Sequence, residues 1–98
     1  MTRMLIVNAD DFNRSPGVSR GIVEAHEKGI VTSTTVMVNL PGLRASLDLL
    51  RGYPRLGVGL HVNLTFGSPV VPAEQVPSLV DAEGRFWSDP AEIGRAHV

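Results

Sequence analysis

The stretch "VNADDFNRSPGVSRGIVEAHEKGIVTSTTVMVN" (residues 7–39) decides the fold. It leaves a short apolar run, "MLIV" at residues 4–7, and meets two adjacent carboxylates, Asp10 and Asp11. The run from Arg3 to Asn8 reads as a strand that is apolar on both faces, which suits a buried parallel strand. Ser15 followed by Pro16 reads as a helix start, and Gly29 as its stop. Between them Val18, Ile22, Val23, Ala25 and His26 fall near one face, with Glu24, Glu27 and Lys28 largely elsewhere. "VTSTTVMVN" is then rich in β-branched residues and reads as a second strand.

The same alternation continues outward. Pro41-Gly42 breaks the second strand, and "LRASLDLLRGY" repeats Leu43, Leu47 and Leu50 on one helical face. "RLGVGLHVNLTFG" supplies a third strand. The expected strands lie near residues 3–8, 31–38 and 56–64, followed by an irregular stretch at Pro69, Pro72 and Pro77. A small hairpin is expected near residues 78–87, around Asp81–Gly84, and a capped helix from Ser88 or Asp89 onward. Strand–helix–strand–helix–strand predicts an α/β fold of parallel βαβαβ units, in a single domain over residues 1–98.

Composition narrows the function classes. Nine basic and ten acidic residues leave a formal charge of −1, so there is no basic footprint for nucleic acid. With no cysteine, a metal site would have to use His, Asp or Glu. No apolar run reaches the ~20 residues of a membrane span, and the N-terminal run is too short for a signal peptide. The expected location is cytoplasmic.

In parallel α/β architectures chemistry gathers at the carboxyl ends of the strands. Here "NADD" ends the first strand, Asn39 the second and "HVN" the third. In the third strand Val58, Leu60, Val62 and Leu64 point to one face, and Gly57, Gly59, His61, Asn63 and Thr65 to the other. The apolar set is expected to pack under helices. Asp10 shares parity with Asn8, whereas Asp11 falls where a turn can re-aim it. "GVGLHV" lacks the third glycine and following helix of a nucleotide fingerprint.

Bland readings exist for each residue: a satisfied buried histidine for His61, a helix cap beside a solvated carboxylate for the aspartates. One cation held by Asp11 and His61 would explain both oddities together, since paired carboxylates repel unless a cation compensates. A nitrogen and a carboxylate ligand suit zinc. Asp10 would then take a proton from the attacking water. His26 reads as a helix-face residue and His97 as a terminal one. Phe66, Phe86 and Trp87 read as packing residues, with a sugar-binding rim as the alternative.

The motifs "VNADDFNRSPGVSRGIVEAHEKGIVTSTTVMVN" and "GVGLHVNLT" resemble, in order and spacing, the amino-terminal part of the YdjC-like carbohydrate deacetylases. That family includes chito-oligosaccharide deacetylases and a branch tied to hopanoid biosynthesis. The resemblance implies a metal-dependent hydrolase on a TIM-like barrel that removes N-acetyl groups from amino sugars. It implies Asp10 as the base and Asp11 and His61 as ligands of zinc or magnesium. Asn39 and Asn63, placed at the strand ends, are candidate sugar contacts. The chain departs from the family pattern at Asn13, where glycine is usual. It also ends before the downstream histidine that supplies the family's third ligand. The expectation is therefore the first part of a barrel, apparently truncated. The competing reading is an inactive domain that acts only by self-association through open sheet edges or with a complementing partner. A phosphoesterase is disfavoured, because no arginine or lysine cluster adjoins "DDF" or "LHVN".

Overall fold

The computed structural model describes residues 2–94, in which Asn8–Phe12 (β1), Pro16–Glu27 (α1), Ser33–Val36 (β2), Leu43–Leu50 (α2) and Gly57–Leu60 (β3) follow one another in that order. The strands form one parallel sheet in the order β1-β2-β3. This is the expected α/β arrangement. Where the sequence reads as a single domain over residues 1–98, the chain forms two compact units, Met1–His61 and Val62–Val98. Among the described residues no helix is long and apolar enough to cross a membrane.

Local chemistry fixes α1. Ser15 is extended (φ −156°, ψ 162°), its hydroxyl accepts the Val18 N–H, and Pro16 takes the first helical position. At the other end a Cβ on Gly29 would stand 2.7 Å from the Ala25 carbonyl oxygen, so only glycine lets the chain turn back there. His26 closes the same reversal, with Nδ1 2.7 Å from the Val31 carbonyl and its ring edge-on to Tyr53. The helix-face reading of His26 fits that role. His97 lies outside the described residues.

The core lies on one side of the sheet, where Phe12, Ile22, Val23, Val36, Leu50 and Leu56 cluster and Ala9, Val18 and Leu43 pack against them. Phe12 and Thr34 are fully buried, and the Thr34 hydroxyl donates to the Ala9 carbonyl at 2.6 Å.

Three strand boundaries differ from expectation. The first strand, expected near 3–8, runs from Asn8 to Phe12. Met4, Leu5 and Ile6 are exposed, Met4 at 94%, so their hydrophobicity did not mean burial. Pairing begins only where β2 stands alongside, announced by Val7, whose carbonyl accepts the N–H groups of Thr32 and Ser33. Strand two, expected near 31–38, and strand three, expected near 56–64, shorten to the four-residue segments that pair with each other. Val58 and Leu60 keep the expected parity but are 54% and 60% exposed, because no helix within Met1–His61 covers β3 on that side.

In the second unit the hairpin expected near 78–87 reduces to one antiparallel bridge, Val80 to Phe86. Asp81 organises its turn: its carboxylate accepts the N–H groups of Glu83 and Arg85. Phe86 is buried, as a packing residue would be. The expected last helix begins as a single tight turn, Pro90–Glu92, capped by Asp89. Ile93 is already extended (φ −62°, ψ 123°), so the expected helix does not continue past that turn among the described residues.

Candidate active site at the carboxyl ends of the strands

Between Ala9, which pairs with Thr34, and Phe12, which pairs with Val36, β1 has one residue more than β2. This is a β-bulge. Ala9 and Phe12 both pack on the helix side, so Asp10 and Asp11 both face the other way. A regular strand would have sent neighbours to opposite faces. Asp11 makes the adjustment with φ +71°, in the left-handed region, and Asn13 follows at φ +75°. A non-glycine residue in that region carries strain of order 1–3 kcal/mol, and such strain concentrates at functional sites.

Asp10 is held from two directions. Asn8 donates its side-chain amide to Asp10 Oδ1 at 2.9 Å, and the Thr35 hydroxyl donates to the same oxygen at 3.1 Å. Ser33 fixes the Asn8 amide by donating to its Oδ1 at 2.8 Å. Both bonds land on one carboxylate oxygen, which leaves Oδ2 as the oxygen able to accept a proton. The inward face therefore carries a polar row, Asn8, Asp10, Ser33 and Thr35. Of these the sequence singled out only Asp10. The signal for Ser33 and Thr35 was present in "TSTT", where hydroxyls two residues apart fall on one face of a strand.

His61 follows β3 directly, and its N–H donates to the Val36 carbonyl at 3.0 Å. That bond extends the ladder by one residue and turns the imidazole to the inner side. His61 Nδ1 lies 3.2 Å from Asp11 Oδ1. At that distance a hydrogen bond is possible in principle, yet the atoms are not aligned for one. Nδ1 is shut off from solvent and has no hydrogen-bond partner. An unsatisfied buried nitrogen is costly, and this one stands beside a carboxylate oxygen. Asp11 and His61 are thus brought together, with Asp10 beside them. Among the described residues no third His, Cys, Asp or Glu completes a cluster of three.

The two asparagines separate. Asn39 lies half-buried in the turn after β2, at the expected end of the sheet. Asn63 belongs to the second unit, where its amide closes a turn: Oδ1 accepts the N–H groups of Thr65 and Phe66, and Nδ2 donates to the Phe66 carbonyl at 2.7 Å.

Comparison with known proteins adds to this geometry. The family model described as YdjC-like protein matches residues 4–98. The chain is 58% identical over 82 residues to a carbohydrate deacetylase of Brevibacillus brevis, covering 84% of this chain and 32% of that protein. It is 53% identical over 79 residues to a chitooligosaccharide deacetylase of Proteus mirabilis, covering 81% and 30%. It also matches the crystal structure of a protein from Enterococcus faecalis V583 described as a cellobiose-phosphate cleavage protein. That match has a TM-score of 0.84 and 43% identity, and covers 95% of this chain and 36% of the other. The chain spans about a third of the length of the curated relatives it matches.

Proposed function

The chain belongs to the YdjC-like protein family, and from that premise we propose that it carries the base and two metal ligands of a hydrolase that removes N-acetyl groups from amino sugars. The observation that supports this most directly is the buried, unbonded His61 Nδ1 standing 3.2 Å from Asp11 Oδ1. That spacing is what neighbouring ligands keep around one ion with bonds of about 2.0–2.1 Å. The donor set fits a divalent metal, with imidazole nitrogen favouring zinc over magnesium.

Asp11 and His61 would hold that metal. When bound, it supplies a Lewis acid for the acetamide carbonyl and lowers the pKa of a coordinated water. Asp10 is the general base, and Oδ2 takes the proton while Asn8 and Thr35 hold Oδ1. Because these bonds come from β1 and β2, the carboxylate keeps its aim without a rearrangement at the moment of transfer. Asn39, at the same end of the sheet, is proposed as a sugar contact. Asn63 is proposed likewise, although its amide is occupied in closing the 63–66 turn. The sheet is proposed to be the first part of a TIM-like barrel, located in the cytoplasm.

Calorimetric titration of zinc into the 98-residue protein tests the reading, with Asp11→Ala and His61→Ala as controls. Micromolar or tighter binding lost in both variants supports it. Binding that the variants leave unchanged refutes it. A second reading has its own observation: exposed Val58 and Leu60 beside the open edge of β3. On that reading the chain is a non-catalytic domain that associates with itself or with a complementing partner.

A further inference from the structure

Asn13 lies two residues past Asp11 and is only 4% exposed. Its side-chain amide has two donor hydrogens and one acceptor oxygen, and all are used. Nδ2 donates to the carbonyls of Met37 at 3.0 Å and Leu40 at 3.2 Å, and Oδ1 accepts the Ser46 hydroxyl at 2.7 Å. Its backbone N–H donates to Ser19 Oγ at 3.0 Å. One residue thus joins the turn after β1 to α1, to the turn after β2 and to α2.

The two members of the Asp11–His61 pair take their positions from the same short segment. His61 is tied to it by its N–H on the Val36 carbonyl. Asp11 is tied to it from the other side, by the Met37 N–H on the Phe12 carbonyl at 2.8 Å and by Asn13 Nδ2 on the Met37 carbonyl. Residues 36 and 37 are therefore the common reference for both side chains. None of the Asn13 side-chain bonds belongs to the sheet ladder, so its loss frees the Asp11 turn without unpairing the strands.

We propose that Asn13 is a positioning residue that fixes Asp11 Oδ1 against His61 and keeps the pair ready for a metal. The proposal rests on the metal reading given above. It also extends to the turn bearing Asn39, whose flanking carbonyls, Met37 and Leu40, are the ones Asn13 holds.

Three variants of the 98-residue chain test it. Asn13→Gly accepts the positive φ and deletes all three side-chain bonds. Asn13→Asp keeps the acceptor for Ser46 and loses both donors. Ser46→Ala deletes a single bond and serves if the others fail to fold. Zinc affinity by calorimetry is expected to fall about 10–100-fold in Asn13→Gly and Asn13→Asp and less in Ser46→Ala, the range for residues that orient a ligand. In the metal-free protein, amide exchange is expected to quicken at Arg14 and Met37 while Lys28 and Gly57 keep their protection. Exchange that quickens equally at all four amides, or unchanged affinity and exchange in Asn13→Gly, overturns the proposal. Should the parent chain bind no zinc, the metal reading fails by itself, and localised exchange still decides whether Asn13 fixes the Asp11 turn.

Discussion

The Thr35 hydroxyl donates to Asp10 Oδ1 at 3.1 Å, joining the middle strand to the carboxylate on its neighbour. A hydroxyl on β2 thereby sets the direction in which a carboxylate on β1 offers its other oxygen.

Removing that hydroxyl tests the arrangement. Thr35→Val keeps size and branching and, on the proposed hydrolase reading, is expected to slow N-acetyl hydrolysis about three- to tenfold, as a partly exposed bond to a charged group should. Asp10→Asn is expected to slow it about 10²–10⁴-fold, the usual contribution of a general base. Neither change should move zinc affinity much. Initial rates on an N-acetylated chito-oligosaccharide, set beside calorimetry, separate the two roles.

Asp11 is expected to be a residue whose function conflicts with stability. Its φ of +71° suits glycine better than alanine. Asp11→Gly should be more stable than Asp11→Ala by about 1 kcal/mol, a difference of roughly 4–8 °C in melting temperature for a domain this small. Both variants should lose zinc. Equal melting temperatures would show that the turn carries no strain.

Phe12 is fully buried at the centre of the cluster, between Asp11 and Asn13, the two non-glycine residues of left-handed backbone among the described residues. Phe12→Ala is expected to cost about 3–5 kcal/mol, much of the stability such a small domain possesses. Urea unfolding followed by circular dichroism would measure it. A loss under about 1 kcal/mol would mean that the cluster is not the core.

The open side of β3 yields a prediction about association. Val58 is 54% exposed on an edge strand, and on the self-association reading Val58→Lys should shift the protein toward monomer in size-exclusion chromatography with light scattering. Zinc affinity should be unchanged, because Val58 faces away from His61. A chain that is monomeric before the substitution would dispose of the self-association reading.

Much of the site was legible because it follows from parity. Asn8 and Asp10 share a face, His61 belongs to the inner set, and a turn at Asp11 could re-aim its carboxylate. The structure agrees on each point. The start of β1 was misplaced because an apolar run was taken for a buried strand, whereas Met4 to Ile6 lie exposed ahead of the ladder. Asn13 read only as a departure from the family's usual glycine. Its partners Met37, Leu40 and Ser46 are 24 to 33 positions away, a distance local pattern cannot span. The polar row from Ser33 to Asp10 left only the alternate hydroxyls of "TSTT" as a trace, since a run of hydroxyls looks the same whether it meets water or a carboxylate.

The bulge in β1 also bears on how this sequence can evolve. Deleting one residue between Ala9 and Phe12 would restore an unbroken ladder and leave the apolar positions in register with β2. The fold would survive, while one aspartate and the pairing of two on a single face would vanish. A single codon thus separates a regular ladder from one that turns two neighbouring carboxylates to the same face.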